Sequence, residues 1–76
     1  MKIVEVTWKD PTIDAGWQDE DHDNTLPDIK SYGILIYNTQ KQVCIAGTYD
    51  PSQQKYADRT RFPKGCVSKV RVIHER

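Results

Sequence analysis

Polar and apolar residues alternate from the start of the chain. Val4, Val6 and Trp8 fall on one side of a two-residue period, with Glu5 and Thr7 on the other. That is the pattern of a half-buried strand running from Lys2 to Trp8. Asp10-Pro11 then resembles a helix cap followed by proline at the first helical position, with Gly16 suited to close a single turn. Residues 18–27, Gln-Asp-Glu-Asp-His-Asp-Asn-Thr-Leu-Pro, offer almost nothing to bury and read as a solvated acidic loop.

From Asp28 to Asn38 the apolar residues Ile29, Tyr32, Ile34, Leu35, Ile36 and Tyr37 occupy both faces. This predicts a central strand, or one covered by a partner subunit. Gly33 within it predicts a bulge or sharp bend. Asn38-Thr-Gln-Lys41 is a short polar turn and Gln42 to Tyr49 a β-branched strand, so residues 29–49 read as a hairpin. After the loop 50–55, Tyr56 to Phe62 is a weaker strand candidate. Phe62-Pro63-Lys64-Gly65 has proline at the second and glycine at the fourth position of a type I turn. The last strand, Cys66 to Ile73, is expected to turn Cys66, Val70 and Val72 inward and Lys69 and Arg71 outward. Five short strands without a long helix predict an all-β, strongly bent antiparallel sheet. The first expectation is a five-stranded SH3-like barrel; an OB-like or open sheet is the second.

The length of 76 residues allows one small domain, which buries only about 60% of its unfolded surface. The two tryptophans therefore matter. Trp8 is expected in the core, whereas Trp17, between the capped turn and the acidic loop, is left open between core and interface. Cys44 and Cys66 lack CxxC spacing or neighbouring histidines and read as buried free thiols. No apolar run approaches the roughly 20 residues that span a membrane, and no targeting segment is recognisable. A cytoplasmic location is the default expectation.

Net charge is zero but unevenly spread. The first 38 residues carry three lysines against eight acidic residues, and the last 38 carry eight Lys and Arg against three. Either strands from the two halves pair and neutralise each other, or the surface is dipolar, favouring self-association or an anionic ligand at the basic pole.

Trp8 with Asp10, Gly16-Trp17, Ser31-x-Gly33-x-Leu35-Ile36, the strand Val43 to Ala46, Phe62-Pro63-Lys64-Gly65 and Val67-x-Lys69-Val70 together resemble a group of short uncharacterised proteins encoded by bacteriophages and prophages. The resemblance spans nearly the whole chain and carries no catalytic motif. It implies a compact β-rich accessory protein acting in an infected bacterial cytoplasm.

The residues themselves give no Ser-His-Asp arrangement and no Gly-rich phosphate loop. His74 lies beside the terminus, and the acidic run around His22 lacks the spacing and glycine of a calcium loop. Neither a catalytic group nor a cofactor is expected. Candidate binding residues are Tyr56, Arg59, Arg61 and Lys64, read as surrounding a loop and turn where arginine forks could hold phosphate. Trp17 or Tyr49 would stack on a base. The expected partners are a small anionic or nucleotide ligand, such as a signal used in host defence, or a host protein that the chain binds and inhibits. In the latter case Trp17 would be the anchor and the acidic loop a nucleic-acid mimic or electrostatic guide. A homo-oligomer is also expected, from the two-sided apolar run Ile34-Leu35-Ile36. A minor virion, assembly or housekeeping interaction protein and a small single-stranded nucleic-acid-binding barrel are the alternatives. Duplex nucleic acid is disfavoured by the neutral total charge and the acidic loop.

Overall fold

The structure, a computed structural model, describes residues 1–10, 17 and 26–76. Five antiparallel strands form one sheet: β1 (Lys2–Lys9), β2 (Asp28–Asn38), β3 (Gln42–Asp50), β4 (Lys55–Pro63) and β5 (Val67–Glu75). Their spatial order is β4-β3-β2-β1-β5. The expected hairpin is β2–β3, and its turn is fixed by Thr39. The Thr39 hydroxyl accepts from the amides of Lys41 and Gln42 at 3.2 Å each, a side-chain replacement for a backbone turn. The expected capped turn over residues 10–16 and most of the acidic loop lie outside the described residues.

The even positions of β1 do form the buried face. Val4 and Val6 are fully buried with Val43, Ile45 and Phe62, and Trp8, Leu35, Val67 and Val70 pack against that cluster. The ring centroids of Trp8 on β1 and Phe62 on β4 are 5.3 Å apart. Three strand spacings of about 4.8 Å would keep these strands ~14 Å apart in a flat sheet. The sheet therefore curls until its inner face meets itself.

Two irregularities in β2 permit the curl. At Gly33 a Cβ would stand 2.8 Å from the Ala46 carbonyl oxygen and 3.2 Å from Ile45, so a side chain is excluded by close backbone approach. The bulge itself comes three residues later, at Ile36. Leu35 pairs with Ile45 and Tyr37 with Cys44, leaving Ile36 unmatched, which adds local bend and twist. β5 carries the matching slack on the other side. Its register against β1 slips once between Ile3 and Val4 and again between Thr7 and Trp8.

The curl stops short of closure. β4 and β5 lie at opposite ends of the strand order and share no ladder. A 3₁₀ turn, Lys64–Cys66, links them across the gap. The closed SH3-like barrel expected first is therefore not formed, and the open sheet is the architecture. Pro63, with φ −57° and ψ 134°, is extended, so the expected type I turn is replaced by this 3₁₀ turn. Cys66 consequently belongs to the turn and is half-buried, while Cys44 is buried in β3; both are free thiols. Val72 shares the inner face with Val4 but stays exposed because no strand among the described residues lies beyond β5. No helix among the described residues is long and apolar enough to cross a membrane.

Candidate functional site

The open seam makes a groove. Where the end of β1 faces the end of β4 and the 3₁₀ turn, a cleft of about 330 Å³ is lined by Trp8, Ser31, Thr60, Phe62, Pro63 and Cys66, with the cationic residues Lys9 and Arg61. A second recess of about 240 Å³, lined by Leu26, Gly65, Val67 and Ser68, shares Lys9 and Cys66 with the first. The larger cleft falls at the small end of the roughly 300–1,000 Å³ range of ligand pockets.

Each wall is set by local rules. Trp8 lies on the inner face by the alternation of β1, and its indole Nε1 donates to Ser31 Oγ at 2.9 Å. That bond fixes the ring and satisfies its polar atom. Phe62 is inward by the alternation of β4 and tilts 49° against the indole. The 3₁₀ turn is held down by Lys64, whose amide donates to the Lys41 carbonyl at 2.9 Å and whose ammonium donates to Asn38 Oδ1. Lys9 is paired with Asp28 at 2.7 Å, and the described residues include no ion-pair partner for Arg61. The groove thus offers apolar aromatic walls, the Ser31 and Thr60 hydroxyls and a thiol, with Arg61 among its lining residues.

The opposite face carries a second polar centre. Glu5 is only 6% exposed, although the alternation places it opposite Val4 and Val6. It is flanked on both sides, by Tyr32 on β2 and by Arg71 on β5. Tyr32 Oη donates to Glu5 Oε2 at 2.9 Å, Arg71 Nη2 donates to the same oxygen at 3.2 Å, and Lys30 Nζ donates to Oε1 at 3.3 Å. These donors, Arg71 foremost, hold the Glu5 carboxyl at a pKa of about 2. The Tyr32 phenol is raised by its bond to that carboxylate. A carboxylate ionised through the neutral range and a phenol kept protonated fix geometry rather than exchange protons.

The residues singled out in the sequence do not converge. Tyr56, Arg59 and Arg61 lie on β4, the strand expected over Tyr56 to Phe62, and are spread along it rather than gathered around a loop and turn. Tyr49 and Tyr56 are cross-strand partners whose ring centroids lie 4.8 Å apart, so Tyr49 stacks on its own neighbour. Arg59 lies opposite Ala46 and Arg61 opposite Cys44. Both small side chains are fully buried. Of the four basic and aromatic candidates on β4 and its turn, Arg61 alone lines the groove, and Lys64 is engaged in holding the turn. Trp17 is fully exposed, which excludes the core alternative for it. Sequence reading missed Glu5, Lys30, Tyr32 and Arg71 as a cluster, since only the β1–β2 and β1–β5 registers bring them together. It also missed the groove of Trp8, Phe62 and Cys66.

No family model matches the chain, and no curated protein or solved structure matches it.

Proposed function

We propose that this chain is a non-catalytic binding protein of the phage accessory type, and that the seam groove takes a nucleotide-sized anion. The observation that carries the reading is the chemistry of the groove. A flat ring would lie against the Trp8–Phe62 walls and exchange polar contacts with Ser31 and Thr60, while Arg61 meets a phosphate with its planar fork. In an infected bacterial cytoplasm, the setting implied by the sequence resemblance, such a protein would sequester a nucleotide signal used in host defence. The Glu5 cluster supports a non-enzymatic reading because its most perturbed carboxyl is locked as an anion.

Isothermal titration and thermal shift with a panel of linear and cyclic nucleotides test this reading. Binding that is lost in Arg61→Gln is the expected result. An absence of heat and of any shift across the panel overturns it.

A second reading, binding and inhibition of a host protein, is favoured by one specific observation. Trp17 presents its whole surface to solvent, as an anchor awaiting a partner pocket would. Capture of a host protein that is lost with Trp17→Ala supports it; recovery unchanged by that substitution removes the anchor role. Self-association is a separate proposal. The sheet has two unpaired edges, β4 and β5, and the run Ile34-Leu35-Ile36 is only half-buried in the single chain. Light scattering that gives a monomer across salt concentrations rejects it.

A further inference from the structure

We propose that the outer sheet face centred on Tyr32 is a binding surface for single-stranded nucleic acid, with the Tyr32 ring as a stacking platform and Lys30, Arg71 and Lys69 as phosphate contacts. This surface is distinct from the seam groove and does not depend on the groove's ligand.

Four observations carry it. Tyr32 lies on a strand with neighbours on both sides, a position that normally buries an aromatic, yet it is 56% exposed. Its hydroxyl is tied to Glu5 at 2.9 Å, which holds the ring in one place and leaves its face to solvent. Lys30 and Arg71 stand around it with side chains 53% and 55% exposed, each with one contact to Glu5 and further donors pointing elsewhere. A guanidinium carries five N–H donors and an ammonium three, so both keep capacity for a phosphate. Lys69 lies two residues from Arg71 on the same face of β5, and the described residues include no ion-pair partner for it.

The charge balance agrees. The five strands hold eight Lys and Arg against five acidic residues, Glu5, Asp28, Asp50, Asp58 and Glu75. The zero net charge of the chain therefore conceals a basic sheet. Aromatic faces beside cations are the means by which single strands are bound without sequence readout. A duplex cannot offer an unstacked base to one ring on a sheet face, so the occupant is a single strand.

Fluorescence anisotropy with a labelled oligothymidylate of about 12 nucleotides, within the site sizes such folds cover, tests the proposal at about 50 mM salt. The expected result is saturable binding that weakens as salt rises. Tyr32→Ala should weaken it about tenfold, a loss in the range of one base–aromatic stack. Tyr32→Phe keeps the ring and should stay near the parent protein. Lys69→Ala, which touches nothing in the Glu5 cluster, should lower the salt slope by about 0.7. The absence of binding overturns the proposal, as does binding by Tyr32→Ala that matches the parent. Equal affinity for a duplex overturns the single-strand assignment. Equal competition by polyglutamate would assign the face to acidic protein partners instead.

Discussion

Glu5 shows how far one side chain's environment depends on its neighbours. Alternation alone sends it to solvent, but three donors and two flanking strands turn it into a buried anion. Its folded pKa of about 2 lies below the ordinary value of 4.5. The folded state therefore binds this proton less tightly than the unfolded chain, and the carboxylate adds stability above about pH 4.5 that is lost as pH falls toward 2. Tyr32 is shifted the other way. Its raised pKa adds stability below its ordinary value of 10.0 that is lost as pH rises through the folded value. Thermal melts across pH should show a plateau between these limits. Glu5→Gln should lower the melting temperature at neutral pH and flatten the acid limb. An acid limb unchanged by the substitution would assign that transition to other carboxylates. Trp8 gives a second residue-scale prediction. Trp8→Ala removes the indole from Phe62 and orphans the Ser31 hydroxyl, and should cost about 3–5 kcal/mol in urea unfolding. A loss below about 1 kcal/mol would place Trp8 outside the core.

Among the elements, β2 decides the shape of the sheet. Gly33→Ala would drive a methyl into the Ala46 carbonyl at 2.8 Å and should destabilise by about 1–3 kcal/mol through overpacking, measured by chemical denaturation; an unchanged midpoint would mean that the strand can straighten there at no cost. The edge strand β4 is protected differently. Asp58 sits at φ 57° within the strand, and Oδ2 accepts from the Thr48 hydroxyl at 2.6 Å. A left-handed residue and the nearby cations Arg59 and Arg61 interrupt what would otherwise be a smooth template for another chain. The five strands and the inward set of β1 were legible because a period of two reports burial directly. The bend at Gly33 was legible because glycine in a strand marks either irregularity or close approach. The registers between β1 and its two neighbours were not, since the β1–β2 ladder joins strands separated by the acidic segment and the β1–β5 ladder slips twice, and no local pattern encodes either. With the registers went the Glu5 cluster. Likewise, Tyr56 to Phe62 read as only a weaker strand because β4 is so polar, and that polarity reflects an edge strand exposed along nearly its whole length.

For the whole molecule, openness is the feature that matters. A closed barrel would have joined β4 to β5 and filled the space that now lies between Trp8, Phe62 and the 3₁₀ turn. The open sheet leaves a groove on its inner side and a basic, aromatic-bearing face on its outer side, and the two surfaces are proposed to take different ligands. The central claim is that the groove is the nucleotide site. The chain contains two indole N–H groups, one in the groove wall at Trp8 and one on the exposed Trp17. They give separate resonances for a nitrogen–proton NMR titration with a bound nucleotide from the panel. The account predicts that the Trp8 indole and the amides of Thr60, Phe62 and Cys66 shift together and saturate, while the Trp17 indole stays in place. Saturable shifts confined to Trp17, or to the Tyr32 face with Trp8 unmoved, would contradict it.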